Sequence, residues 1–348
     1  VIEDRAMMAF VMPMLKPEPV SRRAIAAMLA LAIVALAPRT ASSQPLRPAP
    51  VSDCAAPAGP LQTAICGDAE LRKLDGRLQG LERAIAATSA RPATFAHRAR
   101  TWREERAADA AAAPAGALDL EDMRDAHADR IAALEEELRQ DRGLRRLTAT
   151  RGSAVMARPT TIERHCLGAA LRRCRVSGAG VAIGPDGGTR ILWQIQEGVT
   201  AADHGRAGIV LLAAVRGGWR LLGWSFEAHS YEAPRLFPHD DGLLLHVRGF
   251  AGGTGTANAD LLFRLAQGGW REIETESWRT MLPARLPAGL ALRQAVAYDF
   301  GQLTAMGQLW RPDDANCCPR GGGVVFDFRI EDRHLRLTGL GHDAANGR

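Results

Sequence analysis

The sequence predicts an α+β protein in two modules: a small antiparallel helical bundle, then an antiparallel β-rich domain, sandwich- or barrel-like. Three observations lead there. Between residues 71 and 138 apolar residues recur at three- and four-residue steps, the period of an amphipathic helix. From about Thr160 aliphatic and β-branched runs are separated by glycine turns, the texture of hairpins. With 348 residues, 47% of them apolar, the chain has material for two cores.

The first residues are packaging. Ser21-Arg22-Arg23 precedes a run from Ala24 to Ala37 with no polar residue, too short for the roughly 20 residues that span a bilayer. Small residues at Ala41 and Ser43 follow. A basic start, a short apolar core and a small-residue end read as a signal peptide cleaved before Gln44, so residues 1–43 are expected to be leader. Export to the periplasm or outside follows, with no stable membrane span after cleavage. No cysteine sits just after the apolar run, which argues against a lipid anchor. A proline-rich linker is expected over residues 44–59.

The helical module is expected over residues 52–146. Leu71, Leu74, Leu78, Leu81 and Ile85 form one stripe, and Arg91-Pro92 ends that helix, with Pro92 suited to the first turn of the next. Phe95 and Trp102 share a face of the second helix. The Ala-rich stretch 107–117, with Pro114 and Gly116, reads as a loop. Met123, His127, Ile131, Leu134 and Leu138 mark a third helix, and short connections favour antiparallel packing.

The β-rich domain is expected over residues 160–348. Thr160 and Glu163 look like a helix capping box. Val181–Gln196 reads as strand, Pro-Asp-Gly-Gly turn, strand. Two later hairpins share one design, an aliphatic strand, Gly-Gly, then Trp-Arg, with Trp219 and Trp270 equivalent. Residues 324–340 form a third, and 242–250 supply another strand. A propeller would need more blades than this length easily supplies, so a sandwich or barrel is preferred.

Charge excludes one class. The formal net charge is +5, yet residues 51–150 hold 15 Arg/Lys against 17 Asp/Glu, and no single-sign stripe would track phosphates, so no nucleic-acid partner is expected. No Gly-x-Ser-x-Gly or His-Glu-x-x-His string occurs, and the glycine-rich residues 251–260 lack the Lys-Ser/Thr ending of a phosphate loop. His239-Asp240-Asp241 after Pro238 reads as a solvated turn. His204, His229 and His246 are scattered, which suits structural or exposed histidines. No catalytic residue, metal or cofactor is expected.

Six cysteines in an exported chain suggest disulfides. Cys54 and Cys66 bracket the entrance to the helical module, where a bond would contribute about 3 kcal/mol by loop closure. Cys166, Cys174, Cys317 and Cys318 are the remaining candidates. Adjacent Cα atoms lie below the usual disulfide span, which disfavours a Cys317–Cys318 bond. If 166–174 is helical, its two cysteines are too far apart to bond each other and two cross-links to 317/318 are expected. If it is a hairpin, a local Cys166–Cys174 bond is open. The string around Cys317-Cys318 (Asp313 to Cys318) is also where an enzyme or thiol-redox site in this half is placed.

The pattern Asp53-Cys54, Ala64-Ile65-Cys66, Asp68, Leu71, Leu74-Asp75, Leu78, then Trp102, Arg106, Arg130-Ile131 and Leu134 resembles the LprI-type lysozyme inhibitor family over about residues 52–140. The family's second cysteine pair is replaced by Asp109 and Asp122, and His127 stands where an aromatic is usual. The resemblance implies a small exported module whose partner is lysozyme or another cell-wall hydrolase. Lysozyme works through carboxylates in a cleft, so Trp102, Arg103 and Arg106 are the candidate partner-binding anchor. The plainer role for the same residues is Trp102 in the bundle core, with Arg106 and Arg130 paired to Asp75 or surface carboxylates. A purely structural envelope protein is the remaining alternative.

Overall fold

The computed structural model describes residues 54–113, 118–149, 162–168, 171, 173–199, 205–216, 218–240, 242–252 and 257–344. These residues belong to one compact unit, Pro48–Arg348. The expected signal peptide, most of the linker, Thr160 and His204 lie outside the described residues.

Among the described residues four α-helices come first: α1 (Pro60–Gly67), α2 (Ala69–Thr88), α3 (Pro92–Ala112) and α4 (Leu120–Ala149). Asp68 caps α2, accepting from the Leu71 amide at 2.7 Å, and Arg124 of α4 donates to the same carboxylate. That guanidinium, with the Leu71 amide, holds Asp68 down to about 2. The α2 stripe packs where its period directs it. Leu78 and Ile85 meet Phe95, Ile131, Leu134 and Leu138 in one cluster, and Leu71 joins Ile65 and Met123 in a second. Pro92 opens α3, where its missing N–H costs nothing. The expected loop over 107–117 begins late, because α3 continues to Ala112 on a run of alanines.

The β half contains fifteen strands among the described residues. They form a meander β1-β2-β3-β4 (Cys174–Ile183, Arg190–Gly198, Ala207–Val215, Gly218–Ala228), a sheet β6-β7-β10-β11 (Arg235–His239, Gly242–Val247, Leu261–Ala266, Gly269–Ile273) and a meander β12-β13-β14-β15 (Ala297–Asp299, Thr304–Gln308, Gly323–Glu331, His334–Asp343). Short strands β5 (Ser230–Tyr231), β8 (Gly249–Ala251) and β9 (Ala257–Asn258) make a fourth sheet. Every pairing within these sheets is antiparallel.

This corrects the expected fold class. The four small sheets are arranged like a four-bladed β-propeller rather than a sandwich or barrel. The hairpins were legible, and all three form. Each, however, closes within its own small sheet, so residues 174–343 suffice for four units. Gly269, at φ 92°, supplies the left-handed turn that lets Trp270 face Leu265 across the β10–β11 hairpin.

Nor do the helices form a separate bundle ahead of the sheets. Leu144 near the end of α4 packs with Ile162, Leu171, Leu192, Val210, Leu212 and Phe226. Strand β3 is buried on both faces: Ile209, Leu211 and Ala213 face the inter-sheet core, while Val210 and Leu212 face the α4 end. Its sequence therefore reads as a continuous apolar run. Polar bolts join the layers. Trp224 of β4 donates to Asp141 of α4 at 3.1 Å. Glu272 of β11, its side chain 2% exposed, accepts from Arg91 Nε at 3.2 Å and from the Ala93 amide at 3.1 Å at the start of α3. Burial raises the Glu272 carboxyl, and Arg91 opposes that rise.

Candidate functional site

The expected anchor is placed by α3, and its members make contacts within the module, although Arg106 Nε is buried with no hydrogen-bond partner among the described residues. The half-buried Trp102 packs against the Leu78 cluster and meets the edge of His127, with ring centroids 5.1 Å apart. His127 is buried, bonded through Nδ1 to the Met123 carbonyl at 2.8 Å, and its pKa is lowered by burial. It packs as an aromatic ring in the module's interior. Arg103 pairs with Glu82 and lies 3.8 Å from Asp75, and Arg106 pairs with Asp109 at 2.7 Å. The chain thus brings Trp102, Arg103 and Arg106 together on the folded side of the helix. Asp75, also bonded to Gln79 at 2.7 Å, belongs to the same interior set.

A different group is left over. Where α3 and α4 meet β4, a cleft of about 230 Å³ is lined by Arg98, Arg130, Glu137, Arg206, Trp224 and Glu227, among others. Arg98 donates Nη2 to both oxygens of Glu137 at 2.9 Å and also pairs with Glu227. Arg130 sits one turn before Leu134 on α4 and accepts no such match. Its Nε and Nη2 are buried with no hydrogen-bond partner among the described residues, and Arg98 Nε is in the same state. Burial lowers the Arg130 pKa, and the neighbouring Arg98 cation lowers it further. Buried donors of this kind are rarely left unmade, because each costs about 1–3 kcal/mol. Nε and Nη2 form the edge of a guanidinium that grips a carboxylate or phosphate through two parallel bonds. Glu82 also keeps one buried oxygen, Oε1, without a partner. Among the described residues the cleft therefore combines an unmatched buried cation, Arg130, with paired charges on its walls.

The cysteines resolve the open alternatives. Cys54 is bonded to Cys66, Cys166 to Cys174, and Cys317 to Cys318, leaving none free. Cross-links from 166/174 to 317/318 are not made. Residues 163–168 are turns and bends rather than helix, and Cys174 opens β1, so the local bond is in reach with Cα atoms 6.2 Å apart. The adjacent pair bonds across 3.8 Å, contrary to the expectation from span alone.

A third polar cluster escaped the sequence reading. His246 of β7 is buried and lies 2.6 Å from Asp260; Asp260 accepts from Asn258, which accepts from Arg279, which pairs with Glu276. Tyr298 closes the chain against Glu276 at 3.0 Å. Burial pushes Glu276 up to about 7 and Tyr298 well above its ordinary value. Every member has a partner within the chain, so the network ties the second sheet to the third. His229 accepts from the Gly252 amide at 2.7 Å, and His239 lies 3.3 Å from Asp240, both outside this cluster. Among the described residues no group of three or more His, Cys, Asp or Glu is placed to hold a metal ion, and no helix is long and apolar enough to cross a membrane.

No family model matches the chain, and comparison with curated proteins gives no match. Among solved structures, a xylan β-1,4-xylosidase from Bacillus halodurans C-125 is similar over 47% of this chain, at 12% identity and a TM-score of 0.22. The chain spans 31% of that enzyme. Likeness of that degree transfers no activity to this protein.

Proposed function

We propose that this chain is an exported binding protein of the cell envelope, similar to LprI-type lysozyme inhibitors, and that it engages lysozyme or another cell-wall hydrolase. The seat is the cleft between α3, α4 and β4, where Arg130 receives an acidic side chain of the partner. One observation carries the reading: Arg130 is a position shared with the family pattern, and packing makes no use of its polar edge. Most other shared positions have internal tasks, although Arg106, paired with Asp109, also keeps a buried Nε with no hydrogen-bond partner among the described residues. Ile65, Leu71, Leu78, Ile131 and Leu134 fill the helical cores, and Cys54–Cys66 closes the entrance. The basic and apolar leader, together with six paired cysteines, supports an oxidising compartment.

The test is lysozyme activity on cell-wall substrate, titrated with the purified, oxidised protein starting at Gln44. Stoichiometric loss of activity, abolished by Arg130→Gln but retained by Arg139→Gln on the exposed face of α4, is the expected result. No inhibition and no complex at large excess, across several lysozyme types, would remove the hydrolase reading.

A further inference from the structure

The three disulfides are not equivalent, and the difference points away from a structural role for one of them. A disulfide acts as a staple by restricting the unfolded chain, an effect that grows with the length of the loop it closes. Cys54–Cys66 and Cys166–Cys174 close separations of 12 and 8 residues, whereas Cys317–Cys318 closes a separation of 1. The adjacent pair is therefore the weakest staple of the three. It is also the one pair with both residues exposed.

The loop that carries it does not depend on it. Asp314, its side chain wholly buried, accepts from the Arg311 amide at 2.7 Å, the Arg320 amide at 2.8 Å and Arg320 Nε at 2.6 Å, clamping both ends. Arg293 donates to the carbonyls of Asp314, Arg311 and Pro312. Gln294 holds the Asn316 carbonyl at 2.8 Å, and Trp310 Nε1 holds that of Ala315 at 3.3 Å. None of these bonds involves a sulfur atom. The frame is therefore expected to outlast the opening of the disulfide.

We propose that Cys317–Cys318 is a redox site that accepts two electrons from a dithiol. A thiolate of the donor attacks one sulfur of the pair, breaking the Cys317–Cys318 bond and forming a mixed disulfide. The donor's second thiolate then attacks its own sulfur in that bond. The donor leaves as an intramolecular disulfide, and Cys317 and Cys318, each having gained one proton, remain as thiols. A monothiol is a poor donor for a geometric reason. In its mixed disulfide the neighbouring cysteine is one residue away on a rigid loop, so it re-attacks and expels the monothiol.

The experiment follows each pair in the folded, oxidised protein under dithiothreitol, or under glutathione at equal thiol concentration, with alkylation and peptide mass spectrometry. Cys317–Cys318 is expected to open faster than the other two pairs by about tenfold or more, and dithiothreitol to outpace glutathione at this pair by a similar factor. The melting temperature should move by no more than about 1 °C once this pair alone is reduced. Because a single serine variant would leave a free thiol, the control is Cys317→Ser with Cys318→Ser. It should keep the melting temperature and lose the rapid consumption of one dithiol equivalent. Opening no faster than Cys54–Cys66, a melting temperature several degrees lower after reduction, or equal action of the monothiol would each overturn the proposal.

Discussion

The α3–α4 cleft and the 310–321 loop are both built around arginines, and they end in opposite states. In the loop, Arg293 and Arg320 find carbonyls and carboxylates for their donors, and even the buried Asp314 takes three bonds. In the cleft, Arg98 is gripped by Glu137 and Glu227, but Arg130 beside it has two buried nitrogens, Nε and Nη2, with no hydrogen-bond partner among the described residues. A satisfied cluster is a frame: it fixes shape and has no capacity left for a ligand. An unsatisfied one is costly in the folded chain and is relieved when an acceptor arrives. On this contrast the loop is a frame under its cysteines, while the cleft is the proposed seat of a partner.

The largest effect belongs to the bolt that creates the cleft. Glu272→Ala leaves Arg91 and the Ala93 amide without their buried acceptor, so a loss of about 3–5 kcal/mol is expected in denaturant titrations. A loss under 1 kcal/mol, with the helices still docked, would mean that the apolar contacts of Leu144 hold the layers unaided. Next comes Arg98→Met, which strands the part-buried Glu137 carboxylate and is expected to cost about 1–3 kcal/mol.

Arg130→Met should move the other way. Replacing an unmatched, largely buried cation by an apolar chain of similar length is expected to stabilise by about 1 kcal/mol, while removing binding of the proposed hydrolase partner. Opposite signs for two arginines in one cleft would sharpen the distinction between wall and seat. Equal destabilisation by both would show that Arg130 does have an internal acceptor in solution, with the unpartnered oxygen of Glu82 the first suspect. Glu82→Gln would then reproduce the loss.

How far was this visible in the sequence? The stripe from Leu71 to Leu138 was, because an amphipathic helix writes its buried face at a fixed period. The hairpins were visible too, since Gly-Gly turns and aliphatic runs are local features. Their assembly into four separate sheets was not, because strand identity does not tell which edges meet. The same limit hid the cleft. Arg98, Arg130, Trp224 and Glu227 come from three distant elements, and nothing local marks Arg130 as a buried cation without an acceptor among the described residues. Trp102, Arg103 and Arg106 stood out because tryptophan and arginine are conspicuous, yet Glu82, Asp75 and Asp109 absorb the two cations and His127 covers the ring. The adjacent cysteines were conspicuous as well. What the sequence did not carry was the Asp314 clamp, which only the folded loop assembles.

The smallest effect tests the satisfied side of the comparison, and it is a matter of pH. Burial alone would raise the Asp314 carboxyl, but the Arg311 and Arg320 amides and the Arg320 guanidinium outweigh it and hold it down, at about 2 against an ordinary 3.8. The unfolded chain therefore binds the proton more readily than the folded one. The clamp's contribution is complete above pH 3.8 and is lost as the pH falls through about 2. The change should be local, because neutralising one carboxylate frees the loop without touching the four sheets. Amide exchange over residues 311–320 should quicken between pH 4 and pH 2 after correction for intrinsic rates, ahead of the amides of β14. Asp314→Asn, which cannot offer two acceptor oxygens, should show the same rapid exchange already at pH 7. If the wild-type loop stays protected at pH 2, or the Asp314→Asn loop is as slow as wild type at pH 7, the carboxylate is not what holds it, and the frame under Cys317–Cys318 must be sought in Arg293 and Gln294 instead.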